Sequence, residues 1–297
     1  MKKQSLGRLN KISYFNIFVF SLLSIYFLLL VSLFFYGFYA SLKTKFEFTA
    51  NPISLPPFPG EWGNYLGVIK SFFIKIGSGK NAQIWYVEHM LLFSFLYAVG
   101  CALATMAATT LMAYACSMFP CKMSSLIYGL VIFSLAFTVV GSQPSMLQMV
   151  QELGLYNNFP GNWFMKFTFL NVYFLVIYEG FRGVPRDYRE AAQLDGASEF
   201  RIMVSIMLRM VTNILGAVFI VQFIALWNDY SAPLLYLPDY PTLAYGLVRY
   251  SNSNAAGTTN EPFKLAASII SVIPLLIFFL IFQKKLIGNL SAGGIKG

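Results

Sequence analysis

Residues 12–42 contain no Asp, Glu, Lys or Arg, and the apolar run inside them reaches from about Ile17 to Tyr39. Crossing a bilayer takes about 20 mostly apolar residues, so a run of this kind reads as a membrane-spanning helix. The same feature recurs along the chain. Residues 89–121 hold a second run, about Met90 to Ala115, and residues 123–151 a third, about Ser124 to Gly141, closed by the break Gly141-Ser142-Gln143-Pro144. A fourth, about Asn162 to Phe181, has to tolerate Lys166 and Glu179 near its ends, Lys166 by snorkelling to the interface. The fifth and sixth fit between Arg209 and Asp229 and between Lys264 and Lys284, 19 residues each. The pattern predicts an all-α, polytopic membrane protein with six transmembrane helices, at about 17–39, 90–115, 124–141, 162–181, 210–228 and 265–283, and both termini on one side.

Composition agrees. Apolar residues make up 57% of the chain and charged ones 11%, with a mean hydropathy of +0.63. Soluble domains carry about a quarter charged residues, so a soluble enzyme, a disordered tail and a fibrous repeat are excluded. The net charge of +9 would point to nucleic acid on a soluble protein. On a membrane chain it reads instead as the positive-inside bias. Thirteen of the 21 basic residues, against five of the 12 acidic ones, fall on the short segments sharing a side with the termini. That side is therefore expected to be cytoplasmic. The start, MKKQSLGRLNK before an apolar run, is like a signal peptide, but the run is too long and no small-residue cleavage site follows, so it reads as a retained first helix. Cys101, Cys116 and Cys121 form no paired framework or metal spacing and read as small packing residues.

Two long segments lie on the opposite side. Residues 40–89 carry the stretch Pro52-Ile53-Ser54-Leu55-Pro56-Pro57-Phe58-Pro59, which favours extended backbone. Residues 230–263 hold Pro233, Pro238 and Pro241 and a polar run from Ser251 to Asn260. Loops this long are functional or disordered.

The most informative stretch lies between the fourth and fifth spans, from Phe181 to Ser198. Pro185 suits the first position of a helix, Asp187 and Glu190 fall near its positive end, and Asp195-Gly196 is a turn signal that stops it after about two and a half turns. A second helical stretch is expected from about Ala197 into the fifth span. Tyr188, Ala191 and Ala192 share one face, edged by Arg186, Arg189 and Glu190. A short helix of this kind fits a groove on another protein; it equally fits a solvated amphipathic loop lying on anionic lipid.

Glu190-Ala191-Ala192, three residues, Gly196, nine residues, then Ile206-Met207-Leu208 resembles the EAA signature of ABC importer permease subunits. Asp195-Gly196-Ala197 resembles the variant found in their carbohydrate-uptake, MalG-like branch, as do Trp227-Asn228-Asp229-Tyr230 and the C-terminal run from Ala266 through Pro274 and Gln283 to Gly297. One departure stands out: the family places proline after the Ile-x-Leu element, where this chain has Arg209.

The resemblance implies a type I ABC importer permease fold, in a bacterial cytoplasmic membrane, with a cytoplasmic segment at 1–16, the six-helix permease domain at 17–286 and a cytoplasmic tail at 287–297. It implies a non-catalytic pore subunit that pairs with a homologous second permease. Two cytoplasmic ATPase subunits, which hold the ATP and Mg, receive the EAA loops as coupling helices, and an extracellular solute-binding protein delivers sugar. The coupling set is then Arg189, Glu190, Ala191, Ala192, Asp195, Gly196 and Ala197, within a loop at about 183–208. Glu190 pairs with an arginine of the ATPase groove, and Gly196 turns the chain. In the nearest-looking relatives the external loop before the last span reaches into the binding protein, corresponding here to part of 237–261.

Weaker signals remain open. Trp227, Asn228 and Asp229 fit an interfacial aromatic anchor with a wet end, or an external mouth that bonds sugar hydroxyls. Gln143 and Pro144 break the third span, which is tolerated where a helix lines protein or water, so they too are candidates for the translocation pathway. Gly77-Ser78-Gly79-Lys80 is like part of a phosphate loop but lacks the earlier Gly (Ile74) and the following Ser/Thr (Asn81). His89 has no nucleophile–base partner nearby in the sequence. No metal-ligand spacing, cofactor motif or catalytic constellation is visible in this chain. The rival reading is an ion-gradient-driven secondary transporter or channel. It needs ionisable residues in the middles of spans, where the sequence has none, and an internal repeat, which is not visible.

Overall fold

The computed structural model describes residues 14–77, 82–137, 141–252 and 260–292, with side chains as far as residue 281. The phosphate-loop look-alike at residues 77–80 lies mostly outside the described residues. Two compact units are present: Met1–Lys70 with Asn254–Ile269, and Ser71–Ser253 with Ile270–Gly297.

In the first unit, α1 (Tyr14–Ser41) is apolar on all sides, with Phe15, Phe18, Phe20, Leu23, Phe27 and Phe35 all exposed on the isolated chain. Such a helix is covered by lipid or by another chain. Its end is tied down: Asn64 Nδ2 donates to the carbonyls of Ser41 (2.8 Å) and Lys43 (2.9 Å). The fully buried Lys43 donates to the carbonyls of Asn51 and Pro52, both at 2.9 Å, and to Ser54 Oγ at 3.3 Å. Burying an ammonium is costly unless its donors are met, and here all three are. Helix α2 (Lys45–Ala50) begins with a capping box between Thr44 and Glu47. The Pro-rich stretch that follows has no regular secondary structure, and α3 (Gly63–Ser71) comes after it.

The second unit opens with a feature at odds with an all-α reading. Strands β1 (Phe73–Ile76) and β2 (Gln83–Tyr86) pair antiparallel, Phe73 opposite Tyr86. Apart from Lys75 and Gln83, both consist of aromatic and β-branched residues, as strands favour. Helix α4 (Val87–Met118) is the spine, against which α5 (Lys122–Ala136), α7 (Phe159–Met165), α8 (Val172–Arg182), α12 (Thr212–Trp227) and α14 (Leu243–Asn252) pack. Cys101 and Cys116 are buried in it, while Cys121 is exposed.

Of the expected spans, the first, second and sixth are single helices long enough to cross: α1, α4 and residues Glu261–Ile281 of α15 (Glu261–Ala292), with Pro274 inside the last. The third is shorter than expected: α5 ends at Ala136, residues 138–140 lie outside the described ones, and Gln143 and Pro144 open a separate helix, α6 (Gln143–Glu152). The fourth is broken. Helix α7 stops at Met165 and α8 starts at Val172, with irregular backbone between. Asn158 and Asn171 cap the two pieces, accepting from Gly161 N and Phe174 N. In place of one helix running into the fifth span, α10 (Glu199–Ile202), a π-helical turn (Met203–Met207) and α11 (Leu208–Met210) lead to a 75° bend before α12. The π turn carries an i−5 hydrogen bond, Leu208 N to Met203 O, and inserted turns of this kind kink helices. The bend forms with Arg209 in the family's proline position. Helix α13 (Ser231–Tyr236) and α14 supply structure in the segment after α12.

Candidate functional site

The loop between α8 and α12 is built around α9 (Asp187–Leu194). The helix starts two residues after Pro185, because Arg186 serves as N-cap and its carbonyl accepts from Arg189 N (2.9 Å) and Glu190 N (3.1 Å). Asp187 and Glu190 lie in the first turn, where the helix dipole favours them. Gly196, at φ +77°, ends the helix. Its N–H reaches Gln193 O at 3.0 Å, and Ala197 N reaches Ala192 O at 3.0 Å, the paired bonds of a Schellman motif. Glycine takes this left-handed backbone without the Cβ penalty.

The two faces of α9 do different things. Ala192 is buried in a cluster with Tyr114, Phe174, Ile177, Phe181, Ile202 and Met207. Its small side chain lets the helix backbone lie close against the bundle. Arg189, with 18% of its side chain exposed, also turns inward. Its Nη2 donates to Glu199 Oε1 (2.8 Å), Nε to Glu199 Oε2 (3.3 Å) and Nη1 to the Met118 carbonyl (3.2 Å). The guanidinium also lies 4.4 Å from the Phe119 ring centre. Gln193 and Tyr114 donate to the same carboxylate. The hydrogen bonds from Arg189 and Gln193 hold the Glu199 carboxyl below the usual value for a glutamate, and Glu199 in turn raises Arg189. A two-pronged pair of this kind fixes orientation as well as position.

The outward face holds Tyr188 (52% exposed), Glu190, Ala191 and Leu194 (90% exposed), with Phe200 (72%) beyond the turn. The Glu190 side chain has no hydrogen bond or ion pair to any described residue. The expected stripe of Tyr188, Ala191 and Ala192 is thus divided, with Ala192 inside and the other two outside. Asp195 is exposed and Ala197 half-buried.

Sequence reasoning passed over Glu199, Tyr114, Met118 and Phe119, which lie 10 to 75 residues from Arg189 and carry no local signal. Leu194 had one: a large apolar residue directly before an Asp-Gly turn.

The other candidates sit at the opposite end of α12. Trp227 is 7% exposed and packs on Phe223, ring centres 5.6 Å apart, so it is part of the core. Asn228 bonds back to the Ile224 carbonyl at 2.9 Å. Asp229 Oδ1 accepts from Ser231 N (3.0 Å) and Ala232 N (3.1 Å), capping the start of α13, while Oδ2 accepts from Tyr97 OH at 3.2 Å. Its carboxylate is taken up in joining α4 to α13. Gln143 and Pro144 are exposed at the start of α6. The structure therefore does not gather these five residues into one site.

The sequence profile of the family described as binding-protein-dependent transport system inner membrane component matches residues 4–290. The chain is 26% identical over 257 residues to the diacetylchitobiose uptake system permease protein NgcG of Streptomyces coelicolor, covering 86% of this chain and 80% of that protein. It is 30% identical over 209 residues to the trehalose/maltose transport system permease protein MalG of Thermococcus litoralis, covering 69% and 74%. Its fold is similar to a chain in the crystal structure of a bacterial ABC transporter involved in the import of the acidic polysaccharide alginate, with TM-score 0.73 and 21% identity over 95% of this chain and 99% of the other. The EAA loop, the helical membrane fold and the match across nearly the whole chain lead to one conclusion: this chain belongs to the binding-protein-dependent transport system inner membrane components, the permease subunits of ABC importers.

Proposed function

We propose that this chain is the non-catalytic pore subunit of an ATP-driven carbohydrate importer, pairing with a second permease and driven through α9 by a cytoplasmic ATPase that holds ATP and Mg. An extracellular binding protein delivers the sugar, and both termini face the cytoplasm. The observation that carries the reading is the construction of α9. A helix meant to transmit force must be fixed to its own bundle and open to a partner. Helix α9 is fixed by Ala192 and by the Arg189–Glu199 pair, and open through Tyr188, Glu190, Ala191 and Leu194. A rigid helix seated in a groove passes the rotation of one body to another. The uptake systems to which NgcG and MalG belong are named for sugars, which supports a carbohydrate as cargo.

Proteoliposomes holding the chain with its second permease and ATPase test the proposal. Sugar uptake is expected only with internal ATP and external binding protein. Uptake driven by an ion gradient without the ATPase would overturn it in favour of a secondary transporter.

A further inference from the structure

The break in the fourth span places a cation where the sequence does not lead one to expect it. Cys101, Thr105 and Thr109 occupy the middle of α4, a helix of 32 residues and so about 48 Å long. Against that middle lies the α7–α8 break. Thr105 Oγ donates to the Lys166 carbonyl (2.9 Å), Thr109 Oγ to the Thr168 carbonyl (3.3 Å), and Asn171 Nδ2 to Thr109 Oγ (3.2 Å). The Lys166 backbone therefore docks half-way along α4 rather than at its end. Irregular backbone at membrane depth persists only where it is buried in protein or lines water. Here a cavity of about 160 Å³ opens beside the break, lined by Met146, Asn162, Met165, Lys166, Ala232 and Tyr236 from α6, α7 and α13.

The ammonium of Lys166 forms no hydrogen bond or ion pair with any described residue. Asp229, immediately before α13, is engaged by Tyr97 and Ser231 and makes no ion pair with it. An unpaired intramembrane cation is expensive, and such groups mark substrate or ion paths and pair with something. Asn162, 2% exposed, spends its amide on the Asn158 carbonyl at 3.1 Å, leaving its side-chain oxygen as an acceptor. Tyr236 adds a ring. A charged donor, an amide acceptor and an aromatic face suit a hydroxyl-bearing ring that carries an anionic group.

We infer that Lys166 is a specificity residue of the translocation pathway and that the cargo is an acidic carbohydrate, one bearing a carboxylate, sulfonate or phosphate. The inference rests on the carbohydrate reading above and narrows it. It does not require the chain to hold the whole substrate, only to supply the countercharge at mid-depth.

The test uses the intact importer in proteoliposomes with its binding protein. Uptake is measured for a panel of neutral oligosaccharides and their uronic acid, sulfonated and phosphorylated counterparts. The native importer is expected to take up acidic members. Lys166→Gln should reduce their uptake about 10- to 100-fold, the scale of losing one charge-assisted hydrogen bond, while Lys166→Arg keeps most of it. Co-purification of each variant with the second permease separates loss of the contact from loss of assembly. Three results overturn the inference: uptake confined to neutral sugars, equal loss of neutral and acidic uptake in Lys166→Gln, or equal loss in Lys166→Gln and Lys166→Arg. Equal loss of both sugar classes would mean that Lys166 pairs with a carboxylate of the second permease. ATP-driven uptake of no carbohydrate at all would instead sink the broader reading.

Discussion

Arg189 and Glu190 are adjacent in the chain and serve opposite sides of it. The Glu190 side chain forms no hydrogen bond or ion pair with the described residues, so Glu190→Ala should leave stability within about 0.5 kcal/mol while cutting ATP-driven uptake tenfold or more, read in proteoliposomes beside a thermal melt. Gly196→Pro removes the N–H that bonds Gln193 and forbids φ +77°; normal uptake by that variant would contradict the coupling role. Arg189 acts within its own subunit. Since Glu199 is 43% exposed, solvent screens the pair, and Arg189→Ala should loosen α9 by about 1 kcal/mol. Arg189→Lys rescues little, because one ammonium cannot make the forked contact or stack on Phe119. The pair also has a pH signature. The Glu199 carboxyl is held below its unfolded value, so its contribution is complete above about pH 4.3 and is lost as pH falls through the lower native value. Hydrogen exchange of α9 amides should therefore be flat from neutral pH down to about 4.3 and accelerate, relative to the intrinsic rate, only below it.

At the scale of elements, the membrane unit is held at its broken helix by hydroxyls. Thr105 and Thr109 satisfy carbonyls that a continuous helix would have bonded itself. Replacing both by valine keeps the shape and removes the two bonds from α4, while Thr168 N (2.8 Å) and Asn171 Nδ2 (3.1 Å) still hold the same carbonyls, so the cost is about 1 kcal/mol in total; detergent-solubilised protein should melt earlier, with α7 and α8 losing exchange protection first. This contact also shows what was legible beforehand. The start and stop of α9 are local, written in Asp187, Glu190 and Asp195-Gly196, and could be read to within two residues. The break at 166–171 was not, because Lys166, Thr168 and Asn171 interrupt the apolar run only singly and the compensating donors lie about 60 residues earlier on α4. The hairpin carries a readable signal in Phe73-Ile74-Lys75-Ile76 and Gln83-Ile84-Trp85-Tyr86, but the strands are too short to stand out in a chain rich in aromatics. The 75° bend before α12 falls at Val211, two residues past Arg209 and with no proline at it, which is why Arg209 gives no hint of it.

For the whole molecule, the claim is a permease that takes work from one side of the membrane and cargo from the other. On the proposed topology α9 faces the cytoplasm and residues 40–89 the outside. With the three native cysteines replaced, a membrane-impermeant thiol reagent should label Leu55→Cys in intact cells and Leu194→Cys only in inside-out vesicles. Both side chains are well exposed on the chain, at 78% and 90%, so in membranes that lack the ATPase, failure to label reports topology rather than burial. The exposed apolar residues along most of α1 call for cover by lipid or by another chain. The most direct measurement joins α9 to its engine. Cysteine placed at Ala191 or Leu194 should crosslink to a groove cysteine on the co-expressed ATPase, and the yield should change when ATP is added. No crosslink in an assembled, transporting complex, or labelling of α9 from outside the cell, would contradict the account.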